Sequence, residues 1–238
     1  MPSKSATKRN RRAQANPMSA RKGPSGAVIA GIVVVVLFAV AVGFGVLRAS
    51  NHNTEAAAPP PNAIASGVPI GQPTAPATVD IYLDLQCPVC KAYEQQEGAT
   101  IDSLIANGSA KVIYHPIAIL DEESSTKYSS RASSASGCAA ADKVFPQFIR
   151  LLYANQPAEG SAGLTGQQLI SYGQQAGAGA GFAQCVNNNS YAKWTANLTD
   201  AASQAGITAT PTIKVNGQEI DKTDGALRQA VLAAAGHK

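Results

Sequence analysis

Apolar and polar residues alternate over residues 79–85. Ile81, Leu83 and Leu85 share one face, and Asp80, Tyr82 and Asp84 share the other, a period of two that predicts a half-buried strand. Pro88 follows at once, and residues 91–105 read as a helix; a proline is tolerated in a first turn, where its missing N–H has no partner to lose. Residues 111–120 predict a second strand, with Val112, Ile113, Tyr114, Ile117 and Ile119. From about 124 to 205 the period turns helical, broken by glycines and strongest at 144–152, 164–175 and 194–204. Strands return at 212–215 and 218–220 across Asn216-Gly217, a tight-hairpin signal, and 226–235 closes as a helix. Strand, helix, strand, helical block, hairpin and helix together predict an α/β fold with a helical insertion at about 121–205.

The first 65 residues follow a different pattern. Residues 1–24 hold seven Lys or Arg and no acid, and residues 25–47 carry no charge at all. About 20 apolar residues cross a bilayer as a helix, so 25–47 is expected to be one transmembrane anchor behind a basic cytoplasmic tail. A cleaved signal peptide competes with this, but its apolar region is usually shorter, and Arg48 stands where a small-residue cleavage site belongs. Residues 48–65, rich in Ala and Pro, read as a linker, which leaves 66–238 as the folded domain outside the cytoplasm. The charge pattern changes how the net +4 is understood: beyond residue 48, eleven Lys or Arg face fifteen acids. A basic tail beside an apolar run sets membrane topology, and nucleic acid is not an expected partner.

All four cysteines fall on the outer side, where disulfides persist. Cys87-Pro88-Val89-Cys90 spans the predicted strand-to-helix junction. The first sulfur would sit at a helix N-terminus, whose unpaired N–H groups favour thiolate, and the second one turn later, close enough to bond with it. Two other readings fit the same pair. It could be half of a zinc site completed by Cys138 and Cys185, although zinc sites usually show two close pairs and these stand 47 positions apart. It could also be an inert local disulfide. Four cysteines allow three pairings, and an even count in an oxidising compartment favours a structural Cys138–Cys185 disulfide over a second redox pair. In Ala209-Thr210-Pro211-Thr212, a proline at the head of a strand is normally an edge or entry residue, but ahead of a hairpin in a chain that already carries a Cys-x-x-Cys a cis Thr210–Pro211 bond becomes plausible. Such a bond would turn the Thr210 backbone toward the cysteines, free to pair with an extended substrate.

Residues 80–91 (Asp-Ile-Tyr-Leu-Asp-Leu-Gln-Cys-Pro-Val-Cys-Lys), the helical insertion and residues 209–212 resemble the thioredoxin superfamily, and more narrowly its DsbA-like thiol–disulfide oxidoreductases. The resemblance spans about 66–238. It implies that Cys87 is the exposed nucleophile, Cys90 the buried resolving cysteine and Pro211 a cis-proline facing them. It also implies disulfide exchange with cysteine-bearing exported proteins, and a membrane partner of the DsbB or VKOR type that re-oxidises the pair. Electrons pass between sulfurs, so neither metal nor organic cofactor is expected. Ile81 departs from the pattern, since these families often place a buried acid six residues before the first cysteine. Pro88-Val89 also lacks the histidine of some strongly oxidising relatives, so a reductase or isomerase, or an anchored binding module with an idle disulfide, stays open.

His115, in Tyr114-His115-Pro116, is read as structural rather than as a partner to a cysteine. Asp121-Glu122-Glu123 is expected to be a solvated turn, and Trp194 a core residue.

Overall fold

The computed structural model describes residues 57–236; the basic tail, the expected anchor at 25–47 and the first part of the linker lie outside the described residues. Among those residues the chain forms β1 (Val68–Ile70), β2 (Ala77–Leu83), α1 (Pro88–Ala106), β3 (Ala110–Pro116), a 3-10 turn (Asp121–Glu123), α2 (Tyr128–Ala141), α3 (Phe145–Ala154), α4 (Gly166–Gln175), α5 (Phe182–Asn187), α6 (Ala192–Gln204), β4 (Thr212–Val215), β5 (Gln218–Glu219) and α7 (Ala226–Gly236). The strands make one mixed sheet in the order β1-β3-β2-β4-β5. β2 lies parallel to β3, with Val79 beside Val112 and Ile81 beside Tyr114, and antiparallel to β4, with Ile81 beside Ile213. The parallel pair needs a crossover, and α1 supplies it.

Alternation holds along β2. Ala77, Val79, Ile81 and Leu83 are buried, while Thr78, Asp80 and Tyr82 are half-buried. Helices α1 and α7 meet each other and the sheet, and α6 meets β3. The Tyr114 ring tilts against Phe145 at 5.4 Å, which joins the sheet to α3, and Phe148 meets Phe182 edge-on at 5.5 Å inside the insertion. At Asn216-Gly217 both residues take positive φ (48° and 82°), as a two-residue hairpin of this kind requires. The Asn216 carboxamide oxygen also accepts from Thr78 N at 2.8 Å, tying the hairpin to β2.

Several features differ from the sequence expectation, which also lacked β1 and drew no separate α2. β2 ends at Leu83 rather than 85, so Asp84 leaves the strand and becomes wholly buried, not a neighbour of Asp80 on the more open face. β3 likewise stops at Pro116. Residues 57–65, expected as linker, lie along the domain. Asn62 donates to Ala140 O and Ala141 O, and Trp194 Nε1 donates to Ile64 O at 3.1 Å. Trp194 is therefore a core residue that also holds the incoming chain. His115 has the same double use: it stacks on Tyr82 at 4.1 Å, bonds Asp80 Oδ1 at 2.9 Å through Nε2, and meets Ser66 O through Nδ1. Its ring nitrogens are thus taken up by structural partners.

Helix α2 has no strong apolar stripe, yet it is buried around most of its circumference. Small residues make this possible. A Cβ at Gly137 would sit 2.9 Å from Cβ of Tyr191, a spacing only glycine allows. Buried serine hydroxyls find partners: Ser133 bonds Pro116 O, Ser136 bonds Ser133 O at 2.7 Å, and Ser134 Oγ accepts from Tyr191 N. Cys138 on α2 and Cys185 on α5 are joined as a disulfide. Both sulfurs are thereby taken, so the zinc reading that needed them is withdrawn.

Candidate active site

Cys87 is the N-cap of α1. Its backbone is extended (φ −70°, ψ 118°), and its Sγ accepts from Cys90 N at 3.4 Å, the role a serine or aspartate oxygen usually plays at a helix start. Pro88 occupies the first helical turn, as expected. The thiol of Cys87 donates to Thr210 O at 3.3 Å, and the Thr210–Pro211 bond is cis. The structure thus brings the Cys-x-x-Cys segment and the Thr210-Pro211 turn together, although 123 positions separate Cys87 from Thr210. Both cysteines carry free thiols, and both are buried, which corrects the expectation of an exposed Cys87: capping α1 and packing against Thr210 cover most of its surface. Val89, between them, is 56% exposed, an apolar side chain open to solvent beside the sulfurs.

The two thiols are electrostatically unlike. Hydrogen bonding from the Cys90 side chain is the largest influence on Cys87, burial opposes it, and bonds from Thr210 and the backbone N–H groups of Cys90 and Val89 add to it. Together they lower the Cys87 thiol from 9.0 to about 6. Burial pushes Cys90 well above 9.0, and its hydrogen bond to Cys87 and the nearby Cys87 charge push it further. Thiolate, the nucleophilic form, is thus favoured at Cys87 and the neutral thiol at Cys90.

This asymmetry has a measurable consequence. Alkylation of the reduced full chain labels Cys87 with a midpoint near pH 6 and spares Cys90 throughout the neutral range. The sign for stability follows from linkage. Cys87 is more acidic folded than unfolded, so it stabilises the reduced protein above the unfolded value near 9, and that stabilisation is lost as pH falls through about 6. Denaturant unfolding of the reduced chain at about pH 8 and about pH 5 reads it, with the larger Cys87 contribution at the higher pH.

The loop that delivers Cys87 is held from several sides. Asp84 Oδ1 accepts from Gln86 N at 2.9 Å and from the Ser129 hydroxyl at 2.7 Å, and Oδ2 accepts from Leu120 N at 3.0 Å. Burial raises the Asp84 carboxyl, and the bonds from Gln86, Ser129 and Leu120 partly offset it. Gln86 Nε2 donates to Leu120 O at 2.7 Å. From α3 and just beyond it, the Tyr153 hydroxyl donates to Asp84 O at 3.3 Å and Gln156 Nε2 to Leu85 O and Cys87 O, both at 3.0 Å. On the opposite side, Lys222 Nζ donates to Pro211 O at 3.2 Å. Ser129, Tyr153, Gln156 and Lys222 were not visible as site residues in the sequence, because no motif includes them; the first three reach the site across 45 to 71 positions, and Lys222 reaches Pro211 from 11 positions away.

The family model described as Thioredoxin matches residues 65–232. Among solved structures, the reduced disulfide bond oxidoreductase DsbG of Mycobacterium tuberculosis is 30% identical with a TM-score of 0.60, covering 73% of this chain and 90% of that one. Reduced DsbA of the same organism is 28% identical at 0.59, covering 74% and 96%. BdbD of Bacillus subtilis, 20% identical at a TM-score of 0.65 and covering 76% and 97%, shares the fold. Among curated proteins, the serine/threonine-protein kinase PknE of Mycobacterium tuberculosis is 33% identical over 129 residues, which make up 51% of this chain and 23% of the kinase. The chain therefore matches about a quarter of that relative's length.

Proposed function

The chain belongs to the thioredoxin family, in its DsbA-like thiol–disulfide oxidoreductase branch, and on that premise we propose that it oxidises thiols of exported proteins through the Cys87–Cys90 pair. The observation that carries the reading is the split between the thiols, with Cys87 lowered to about 6 and Cys90 raised. Stabilising the Cys87 thiolate stabilises the reduced pair, which makes the corresponding disulfide the better oxidant.

In the proposed cycle a substrate thiolate attacks Cys87 Sγ of the Cys87–Cys90 disulfide. The disulfide breaks, a mixed disulfide forms at Cys87, and Cys90 departs with the electron pair and takes up a proton. A second substrate thiolate then attacks the substrate sulfur of the mixed disulfide. Cys87 leaves as the thiolate already favoured at that position. Two electrons pass from the substrate to the pair, and the substrate gains one disulfide. The exposed Val89 and the backbone of Thr210-Pro211 border the sulfur and fit an extended substrate segment laid beside it. Residues 25–47 would anchor the domain outside the cytoplasm, and a membrane protein of the DsbB or VKOR type would return the pair to its disulfide.

Equilibrating the full chain, in detergent, with glutathione buffers and trapping free thiols tests the direction. The expected potential lies above about −200 mV, on the side of the strong oxidants. A value near or below about −270 mV, where thioredoxin lies, would reverse the flow to a reductase. A pair that never exchanges would leave an idle disulfide.

A further inference from the structure

Among the groups around Cys87, Gln156 has a geometry that the exchange cycle does not yet use. Its side-chain amide has two N–H donors, and both are spent on the active-site loop, one on Leu85 O and one on Cys87 O. The same short stretch of chain adds the Tyr153 hydroxyl on Asp84 O, which also accepts from Cys87 N at 3.0 Å. Three carbonyls within residues 84–87 therefore point at donors from one side, the end of α3. That end is held in place: Arg150, on the same helix, donates to Glu94 at 3.2 Å and bonds Asp102, both on α1.

Resting on the reading of Cys87 as the reactive sulfur, we propose that Gln156 is a positioning residue for it. By holding the Leu85 and Cys87 carbonyls toward α3, Gln156 sets the backbone that aims Sγ at the first turn of α1. The backbone contact that favours thiolate is long, with Cys90 N at 3.4 Å from the sulfur, and the thiol's own bond to Thr210 O is 3.3 Å. Contacts of that length weaken with small rotations of the Cys87 peptide. Freed from Gln156, Leu85 O loses its side-chain donor and Cys87 O keeps only the helical bond from Lys91 N at 3.2 Å, so the loop before α1 loosens and the sulfur shifts with it. The helical insertion would then tune the reactivity of the thioredoxin core through a single amide.

The test is the pH profile of Cys87 alkylation in the full chain, reduced and held in detergent, for wild type, Gln156→Met and Asn155→Ala. Met keeps the shape of the glutamine and removes both donors. Asn155 is the neighbouring control, since its carboxamide donates to Leu151 O within its own helix. The Met variant is expected to move the midpoint up by about one pH unit, which at pH near 6 slows labelling about fivefold; Asn155→Ala should leave the profile in place. Should Gln156→Met fail to fold, Gln156→Leu, which also lacks both donors and adds no charge beside Cys87, is read for the same upward movement. An unchanged profile together with a lowered unfolding midpoint would overturn the proposal and leave Gln156 as a structural tie. Alkylation requires no protein substrate. A wild-type chain that shows the shift in its variant but never exchanges with glutathione would therefore overturn the oxidoreductase reading and not this one.

Discussion

The full chain carrying Cys87→Ser transfers no disulfide to a reduced, unfolded protein above the uncatalysed background. A serine hydroxyl at an N-cap can take over the hydrogen bond from Cys90 N, so the fold loses little. It can neither form the disulfide nor leave as a stabilised anion near neutral pH, so the whole of the chemistry is lost. Cys90→Ser separates the two roles. Cys87 keeps a backbone N–H and Thr210 beside its sulfur, still attacks a disulfide, and forms a mixed disulfide while one thiolate departs. No neighbouring thiol then releases the partner, so the mixed species accumulates and is seen as a mass increase that reductant removes. Equal activity in wild type and Cys87→Ser would end the assignment of the nucleophile. A mixed disulfide that builds up on Cys90 in the Cys87→Ser chain would invert the roles; burial, with the thiol pushed well above 9.0, argues against that.

The parts of this site that were legible in the sequence are those whose chemistry is local. Cys87 and Cys90 lie three positions apart at a strand-to-helix junction, and junction and spacing are both readable from residues 80–91. Pro211 was legible as a candidate cis-proline ahead of a hairpin, but its place opposite the cysteines came through the family pattern, since that is a property of β4 pairing with β2 and not of its neighbours in the chain. Asp84 was misplaced because a period-two reading cannot tell where a strand stops. Once β2 ends at Leu83 the chain must turn, and the Asp84 carboxylate takes bonds from Gln86 N and Leu120 N that a sheet neighbour would otherwise have supplied. Helix α2 was not drawn as a separate helix because periodicity is carried by large apolar side chains, and α2 is built from Ser, Ala and Gly that are buried by close approach rather than by hydrophobic bulk. Gln156 left no trace at all. Its partners lie 71 and 69 positions earlier. Ile81 gains a sharper meaning in the structure: its side chain is buried in the sheet core, so no carboxylate stands where the family resemblance leads one to expect an acid.

Removing the Cys138–Cys185 disulfide, as Cys138→Ala with Cys185→Ala, is expected to lower the stability of the domain by about 4 kcal/mol and leave exchange at Cys87 intact. The cross-link joins α2 to α5 over a sequence separation of 47, with Cα atoms 6.0 Å apart. Closing a loop of this length restricts the unfolded chain far more than the folded one, which is the source of the estimate. For a domain of this size such a loss lowers the melting temperature by roughly 8–16 °C. The site should survive it because the two ends of α2 are held separately. Near its start, Ser129 bonds Asp84 and Ser130 bonds the Asp121 carboxylate through both N–H and hydroxyl. Cys138 lies nine residues further along, at the end packed beside Tyr191 through Gly137. Below the lowered melting temperature, then, the Asp84 brace and the Cys87 loop should stand as before. Thermal unfolding and glutathione exchange, measured on the same preparation, separate the possibilities. A fall in melting temperature with unchanged exchange marks a structural staple. A stable protein that no longer exchanges would instead give Cys138 and Cys185 a part in electron transfer.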